Sequence, residues 1–214
     1  MNFNLKPQGS TTQHSSNAPQ IDWNAINKQV ASLVNGAYYD KNTCIFDGTN
    51  DHILAQHHTS HNIFDRFTIV MQIKRNGSQS QKYLISKIIS AGGDNNWSIV
   101  YGYVANKISF YANPNTGTCA YTSTHIDLTD DLWHSIAYTY NGTTLYGYMD
   151  GVLKVTYVTT FTLRTAGTQG LYIGGFSTSD PTNHWWNGNI SSTLVYNRPL
   201  TQDEIQRIYI ATKR

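Results

Sequence analysis

Along most of the chain the apolar positions recur at every second residue rather than every third or fourth. Phe67, Ile69, Met71 and Ile73 alternate with Thr68, Gln72 and Lys74, Val70 alone breaking the polar side, and the run stops at Asn76-Gly77. A period of two turns one face of an extended strand toward a core, and Asn-Gly suits the tight turn that follows it. Apolar runs of strand length follow at Tyr83–Ile89, Trp97–Val104, Ile108–Ala112, Trp133–Tyr140, Thr144–Met149, Leu153–Val158, Leu171–Ile173 and Ile190–Tyr196. Gly92-Gly93-Asp94, Asn141-Gly142 and Asp150-Gly151 punctuate them. Many short strands separated by turn residues predict an all-β fold, two antiparallel sheets stacked as a sandwich.

The pattern changes at both ends. Residues 1 to 20 are polar, with Pro7, Gly9 and Pro19 among Ser, Thr, Gln and Asn, which predicts a flexible arm. Ile21, Ile26, Val30 and Leu33 fall at turn-like spacing and predict a mildly helical stretch, either a segment lying against the sandwich or a docking element. Residues 1–30 therefore read as a flexible N-terminal arm and docking segment, and 31–214 as one folded domain. After Arg198-Pro199-Leu200, the stretch Thr201-Gln202-Asp203-Glu204 is a capping box, in which Thr201 and Glu204 satisfy each other's amides. Ile205, Ile208 and Tyr209 then form the apolar stripe of one short C-terminal helix.

Composition narrows the partners. Charged residues are 13 per cent of the 214, against about 25 per cent in an average soluble protein. Net charge is +2 with no Lys/Arg cluster, so no nucleic-acid partner is expected. No apolar run approaches the ~20 residues of a membrane span. The start, Met1 to Ser10, lacks the basic and apolar regions of a secretory signal, so synthesis in the cytoplasm is expected. Cys44 and Cys119 are then expected as buried reduced thiols rather than a disulfide. Asn76, Asn96, Asn141 and Asn189 fit the glycosylation tripeptide, which an Asn/Thr-rich chain meets by chance.

Three stretches carry a resemblance. Leu33-Val34-Asn35-Gly36-Ala37 with Phe46-Asp47-Gly48-Thr49-Asn50-Asp51-His52-Ile53 is the first; Trp133 to Gly142 with Leu145 to Gly151 is the second. Leu171-Tyr172-Ile173-Gly174-Gly175, Trp186-Asn187-Gly188, Arg198-Pro199-Leu200 and Glu204-Ile205 make up the third. Together they resemble the laminin-G-like jelly-roll domains of the concanavalin-A-like lectin and glucanase superfamily, over residues 31 to 214. The resemblance implies a two-sheet jelly roll with core aromatics at Trp133 and Trp186. It leaves function open, because one fold hosts many.

Glycosidases of that superfamily place two Glu on one strand to flank the glycosidic bond. This chain has a single Glu, Glu204, which the capping box accounts for, and no Asp pair spaced i, i+2 inside a strand. No enzyme is expected. The resemblance also implies a calcium near Asp47 and Asp51, yet Ser191 and Ser192 stand where relatives carry an acidic pair. Calcium takes six or more oxygens including carboxylates, so no cofactor is expected, Asp47 and Asp51 being the residues to serve if one were held. His57-His58-Thr59-Ser60-His61 reads as an exposed loop rather than a metal site.

Two surfaces stand out. Asp180, Asn183, His184 and Trp185 offer an aromatic face beside hydrogen-bonding groups, the chemistry of a glycan site, if Trp185 points outward while Trp186 points in. Tyr138, Tyr146, Tyr148 and Leu194 fall on expected outer faces, giving an aromatic, charge-poor exterior of the kind found at protein interfaces. Since virus particles reuse jelly rolls, the expectation is a non-enzymatic structural or decoration protein of a virus or phage particle. It would pack against other subunits of an assembly, with copies of itself among them, and grip surface glycans; its place would be the virion. The alternative is a lectin-like carbohydrate-binding module.

Overall fold

Alternation of apolar residues is satisfied when two sheets close face to face, and the chain does this. The computed structural model describes residues 20–24, 29–59, 63, 65–88, 95–112, 114–117, 124–163, 170–176 and 183–213. Its strands are, in chain order, β1 (Gln20–Asn24), β2 (Gln29–Val34), β3 (Tyr38–Asp40), β4 (Thr43–Asp47), β5 (His52–Ala55) and β6 (Phe67–Arg75). There follow β7 (Lys82–Ile88), β8 (Asn95–Tyr101), β9 (Lys107–Ala112), β10 (Pro114–Gly117), β11 (Ile126–Asp127) and β12 (Trp133–Tyr140). The last are β13 (Thr144–Met149), β14 (Val152–Val158), β15 (Phe161–Leu163), β16 (Leu171–Ile173) and β17 (Asn187–Tyr196), before helix α1 (Gln202–Thr212).

One sheet has eight strands, ordered β1-β2-β5-β16-β7-β8-β9-β11, and the other seven, ordered β14-β13-β12-β6-β17-β4-β3; β10 and β15 form a separate ribbon. Phe67, Ile69, Met71 and Ile73 of β6 are fully buried and face Trp97, Ile99, Tyr101 and Phe110 of β8 and β9. Aromatic stacking seals one end, where Tyr140 and Phe161 lie with ring centroids 4.1 Å apart and planes 8° from parallel. At the other end the buried guanidinium of Arg75 ties the sheets, donating to Asp131, Tyr101 and the Leu128 and Thr129 carbonyls. The two-sheet antiparallel jelly-roll sandwich with one C-terminal helix is the architecture observed.

The expected helix at Ile21–Leu33 is instead an antiparallel pair: Ile21 lies opposite Ala31 and Asp22 opposite Val30. Its weak spacing yields because β2 finds a ready sheet edge in β5, where Ala31 and Leu33 become buried. The eight-stranded sheet thus begins at Gln20, inside the segment expected to be an arm. Residues 1–19 lie outside the described residues.

The aromatic exterior is also corrected. Tyr138 is fully buried, its hydroxyl donating to the Thr124 carbonyl at 2.7 Å with the Ile108 carbonyl at 3.0 Å, because β12 turns Ile136, Tyr138 and Tyr140 to the core. Tyr148, Tyr146 and Leu194 do leave the seven-stranded sheet on its outer face, but α1 lies on them. Val70, Ala137, Tyr148, Leu200 and Ile205 form a second buried cluster, with Tyr146, Leu194, Tyr196 and Ile208 packed at its edge. Val70, the one residue that broke the polar side of β6, is explained by the same cover.

The helix starts as its sequence dictates. Thr201 accepts from the Glu204 amide at 3.3 Å, and Glu204 accepts from the Thr201 amide at 2.9 Å. Cys44 is a fully buried free thiol, and burial pushes its pKa well up; Cys119 lies outside the described residues.

One tie across the loops is pH-sensitive. His134 at the start of β12 faces Asp150 through Nδ1 at 2.7 Å and Asp130 through Nε2 at 2.9 Å, and Asp150 also accepts from the Ser135 amide. Two carboxylates on one ring favour the imidazolium, so the His134 pKa is raised, first by Asp150. A raised folded-state value adds stability that is complete below the unfolded pKa near 6.5 and is lost as pH rises through the folded one. The melting-temperature gap between the parent and His134→Gln is therefore widest at pH 6 and closes toward pH 9. A gap constant across that range would refute the tie.

Candidate functional site

The outer face of the eight-stranded sheet is built by the outward residues of β7, β8 and β9. Tyr83 pairs with Val100 and Val100 with Ser109, while Ser98 pairs with Tyr111, so these residues form two adjoining rows. Their neighbours in the strands, Ile85, Ile99 and Phe110, turn to the core. Because Val100 and Ser109 are short, the rows leave a cleft between larger rings, about 200 Å³ in volume, lined by Tyr83, Val100, Tyr103, Ser109 and Tyr111. Tyr103 is 48 per cent exposed and sits on the β8–β9 turn. Gly102 makes that turn with φ 76°, and a β-carbon there would fall 2.8 Å from the Gln79 carbonyl oxygen.

One wall comes from chain far away in sequence. The Tyr83 amide donates to the His184 carbonyl at 3.0 Å, and the Tyr83 ring lies 4.8 Å from Phe176 and 5.4 Å from the His184 ring. Lys82 donates from Nζ to the Asn183 carbonyl at 2.6 Å. On the opposite side Ser109 Oγ is 2.6 Å from His125 Nδ1, and Lys107 Nζ is 2.5 Å from Asp127 Oδ1. Burial first, and then Lys107, hold the His125 pKa below the usual histidine value, against the pull of Asp127. Aromatic faces, a serine hydroxyl and an imidazole around an open cleft make a surface suited to a sugar ring: stacking on its C–H face, hydrogen bonds at its edge.

The glycan residues expected from sequence divide here. His184 packs against Tyr83, a residue that lines the cleft, and Asn183 accepts from the neighbouring Lys82, but neither lines the cleft itself. Trp185 lies elsewhere: it is 5 per cent exposed, stacked on His52 at 5.0 Å and laid across Gly175. The outward reading assumed strand alternation, but residues 183–186 precede β17, and a segment outside a ladder has no period of two. Trp186 is buried in the core, edge-on to Tyr101 at 5.9 Å. Asp180 lies outside the described residues. Sequence reading missed Tyr83, Tyr103, Tyr111 and Ser109. The available signal was small residues, Ser98 and Ser109, at outward positions of aromatic-rich strands.

Asp47 and Asp51 serve their own turn. Asp51 Oδ2 accepts from the Asp47 amide at 3.0 Å and Asp47 Oδ1 from the Thr49 amide at 2.8 Å, while Asp51 Oδ1 lies close against Gly36. Burial raises the Asp51 pKa to about 6. Each carboxylate is thus engaged within its own turn, and no third Asp, Glu, His or Cys is grouped with them among the described residues. Glu204, the one glutamate, is paired with Arg198 at 2.7 Å and its pKa is held down to about 2, chiefly by that arginine. A carboxylate of that kind is no general acid.

The fold has many solved counterparts. A Trypanosoma rangeli sialidase in complex with sialic acid superposes with a TM-score of 0.70 at 16 per cent identity, covering 99 per cent of this chain and 36 per cent of the sialidase. Domain 4 of AbnA, a GH43 extracellular arabinanase from Geobacillus stearothermophilus, in complex with arabinotriose, gives 0.63 at 12 per cent identity, covering 86 per cent of this chain and 91 per cent of that domain. The receptor binding domain of botulinum neurotoxin mosaic serotype C/D gives 0.64 at 13 per cent identity, covering 94 and 49 per cent. This chain spans about a third of the sialidase's length. At such identities the likeness is one of fold. No curated protein matches the chain by sequence. A laminin-G family described as "Concanavalin A-like lectin/glucanases superfamily" matches residues 47–206, three-quarters of the chain, and to that family the chain belongs.

Proposed function

We propose that this chain is a carbohydrate-binding module whose ligand lies in the cleft of Tyr83, Tyr103 and Tyr111. The observation that carries the reading is the cleft itself: three tyrosine rings around Val100 and Ser109 on the outer face of a lectin-type sheet. The arabinanase domain solved with arabinotriose, nearly all of which this chain covers, supports it. The room available suits one or two sugar residues, for which millimolar to high-micromolar affinity is expected. A part in a virus or phage particle, with the homo-oligomer that went with it, drew its physical support from an open aromatic exterior. With Tyr138 in the core and Tyr148 buried beside Ile205 of α1, that support is reduced to the sparse charge and the polar N-terminal stretch, together with fold analogy.

The test is a glycan and polysaccharide array with the parent chain and Tyr111→Ala. Losing one stacked ring of this kind costs about 1 to 1.5 kcal/mol, or roughly a tenfold weaker binding. Tyr111 is part-exposed, so the melting temperature should barely move. An array on which the parent binds nothing would sink the proposal, and so would a ligand held equally by Tyr111→Ala.

A further inference from the structure

The cleft is not chemically symmetric. Its Tyr83 side is aromatic, with Phe176 and His184 packed at a tilt against the Tyr83 ring. Its β9 side is lined by Ser109 and Tyr111, with Lys107 two residues before Ser109 on the same face of the strand and behind the lining. His125, just before β11, stands on Ser109, and Asp127 stands on Lys107.

We infer that the cleft selects a sugar bearing a carboxylate, seated over Ser109 and taken up together with a proton on His125. This rests on the carbohydrate reading above and goes further in naming the acidic class and its coupling to pH. In the unliganded protein His125 is best neutral, with Nδ1 accepting from the Ser109 hydroxyl, because a part-buried imidazolium beside Lys107 is costly. In that state Ser109 shows only lone pairs to the cleft, which repel a carboxylate. Protonation reverses the bond: Nδ1–H donates to Ser109 Oγ, and the serine hydrogen turns outward as a donor. A bound carboxylate then meets a hydroxyl donor backed by an imidazolium, and its charge offsets the repulsion from Lys107. A neutral sugar gains little from the change, since its own hydroxyls donate or accept as required. Among the described residues, the charged groups facing His125 are Lys107 and Asp127. Val100 and Ser98 of the adjoining strand bring none, and Tyr103 and Tyr111 bring only phenols.

Calorimetry from pH 8 to pH 5 with two matched pairs tests this: 3′-sialyllactose against lactose, and trigalacturonate against its methyl ester. The expected result is that the acidic member of at least one pair binds more tightly. Its advantage should grow as pH falls, up to tenfold per unit while His125 titrates, and flatten in His125→Gln. The NMR titration of the His125 ring should move to higher pH with the acidic ligand and stay put with the neutral one. Ser109→Ala, a smaller change, should lower the acidic preference without altering the melting temperature. Neutral members binding as tightly as acidic ones at every pH would overturn the inference and leave the carbohydrate reading standing. So would a pH dependence that survives His125→Gln. Binding of neither pair, with no glycan retained on the array, would overturn both.

Discussion

Ile205→Asp destabilises this protein and strips an aromatic face of its cover. Ile205 is 1 per cent exposed, set among Val70, Ala137, Tyr148 and Leu200. Truncating such a side chain costs about 2 to 5 kcal/mol, and an unpaired carboxylate in the same place costs more. For a domain of this size each kcal/mol lowers the melting temperature by about 2 to 4 °C, so a fall of 10 °C or more is expected. Besides this cluster, the helix is held by polar ties, among them Glu204 with Arg198. Its capping box supplies on the order of 1 kcal/mol, Gln202 donates to the Gly151 carbonyl at 2.6 Å, and Gln72 donates to Thr212 at 2.7 Å. With α1 loosened, Tyr146, Tyr148, Tyr196 and Leu194 become a contiguous exposed patch, so the variant should bind a hydrophobic dye and self-associate on light scattering. A melting temperature within 2 °C of the parent, with no new dye binding, would show that α1 is a passenger on the sheet.

Trp185→Ala should cost about 3 to 5 kcal/mol while leaving sugar binding intact in the molecules that remain folded. The ring covers Gly175 and stacks on His52, which in turn lies 5.7 Å from Tyr172. Removing it leaves a cavity over strands β5 and β16, which β7 separates from Tyr103, Ser109 and Tyr111 on the β8–β9 side of the cleft. Thermal unfolding gives the first half of the outcome. Calorimetry at low temperature, on protein shown to be folded by circular dichroism, gives the second. Should the folded variant lose its ligand while Tyr111→Ala keeps it, the site belongs at Trp185 and not in the tyrosine cleft. The pair of substitutions therefore separates a stability residue from a contact residue, which activity alone would confuse.

What the sequence determined is the part governed by local rules. The period of two in Phe67–Ile73 specifies a strand with one apolar face turned to the core, Asn-Gly and Asp-Gly specify where the chain reverses, and Thr201-x-x-Glu204 specifies where a helix starts. Each needs only neighbours a few residues away, so each survived folding unchanged. Tertiary structure decided the rest. Whether an outward residue meets solvent depends on what comes to lie on it, and α1, joined to the sheet from the far end of the chain, buried Tyr148 and partly covered Leu194. Ile21–Leu33 is similar: a marginal helical spacing lost to the open edge of β5, whose hydrogen bonds outweigh a weak propensity. The cleft belongs to the same class. Tyr83, Tyr103, Tyr111 and His184 are remote in sequence, and only strand register and the packing of residues 176 and 184 bring them together. Period and turn chemistry are short-range. A binding surface is a long-range arrangement, fixed by which strands pair and what covers them.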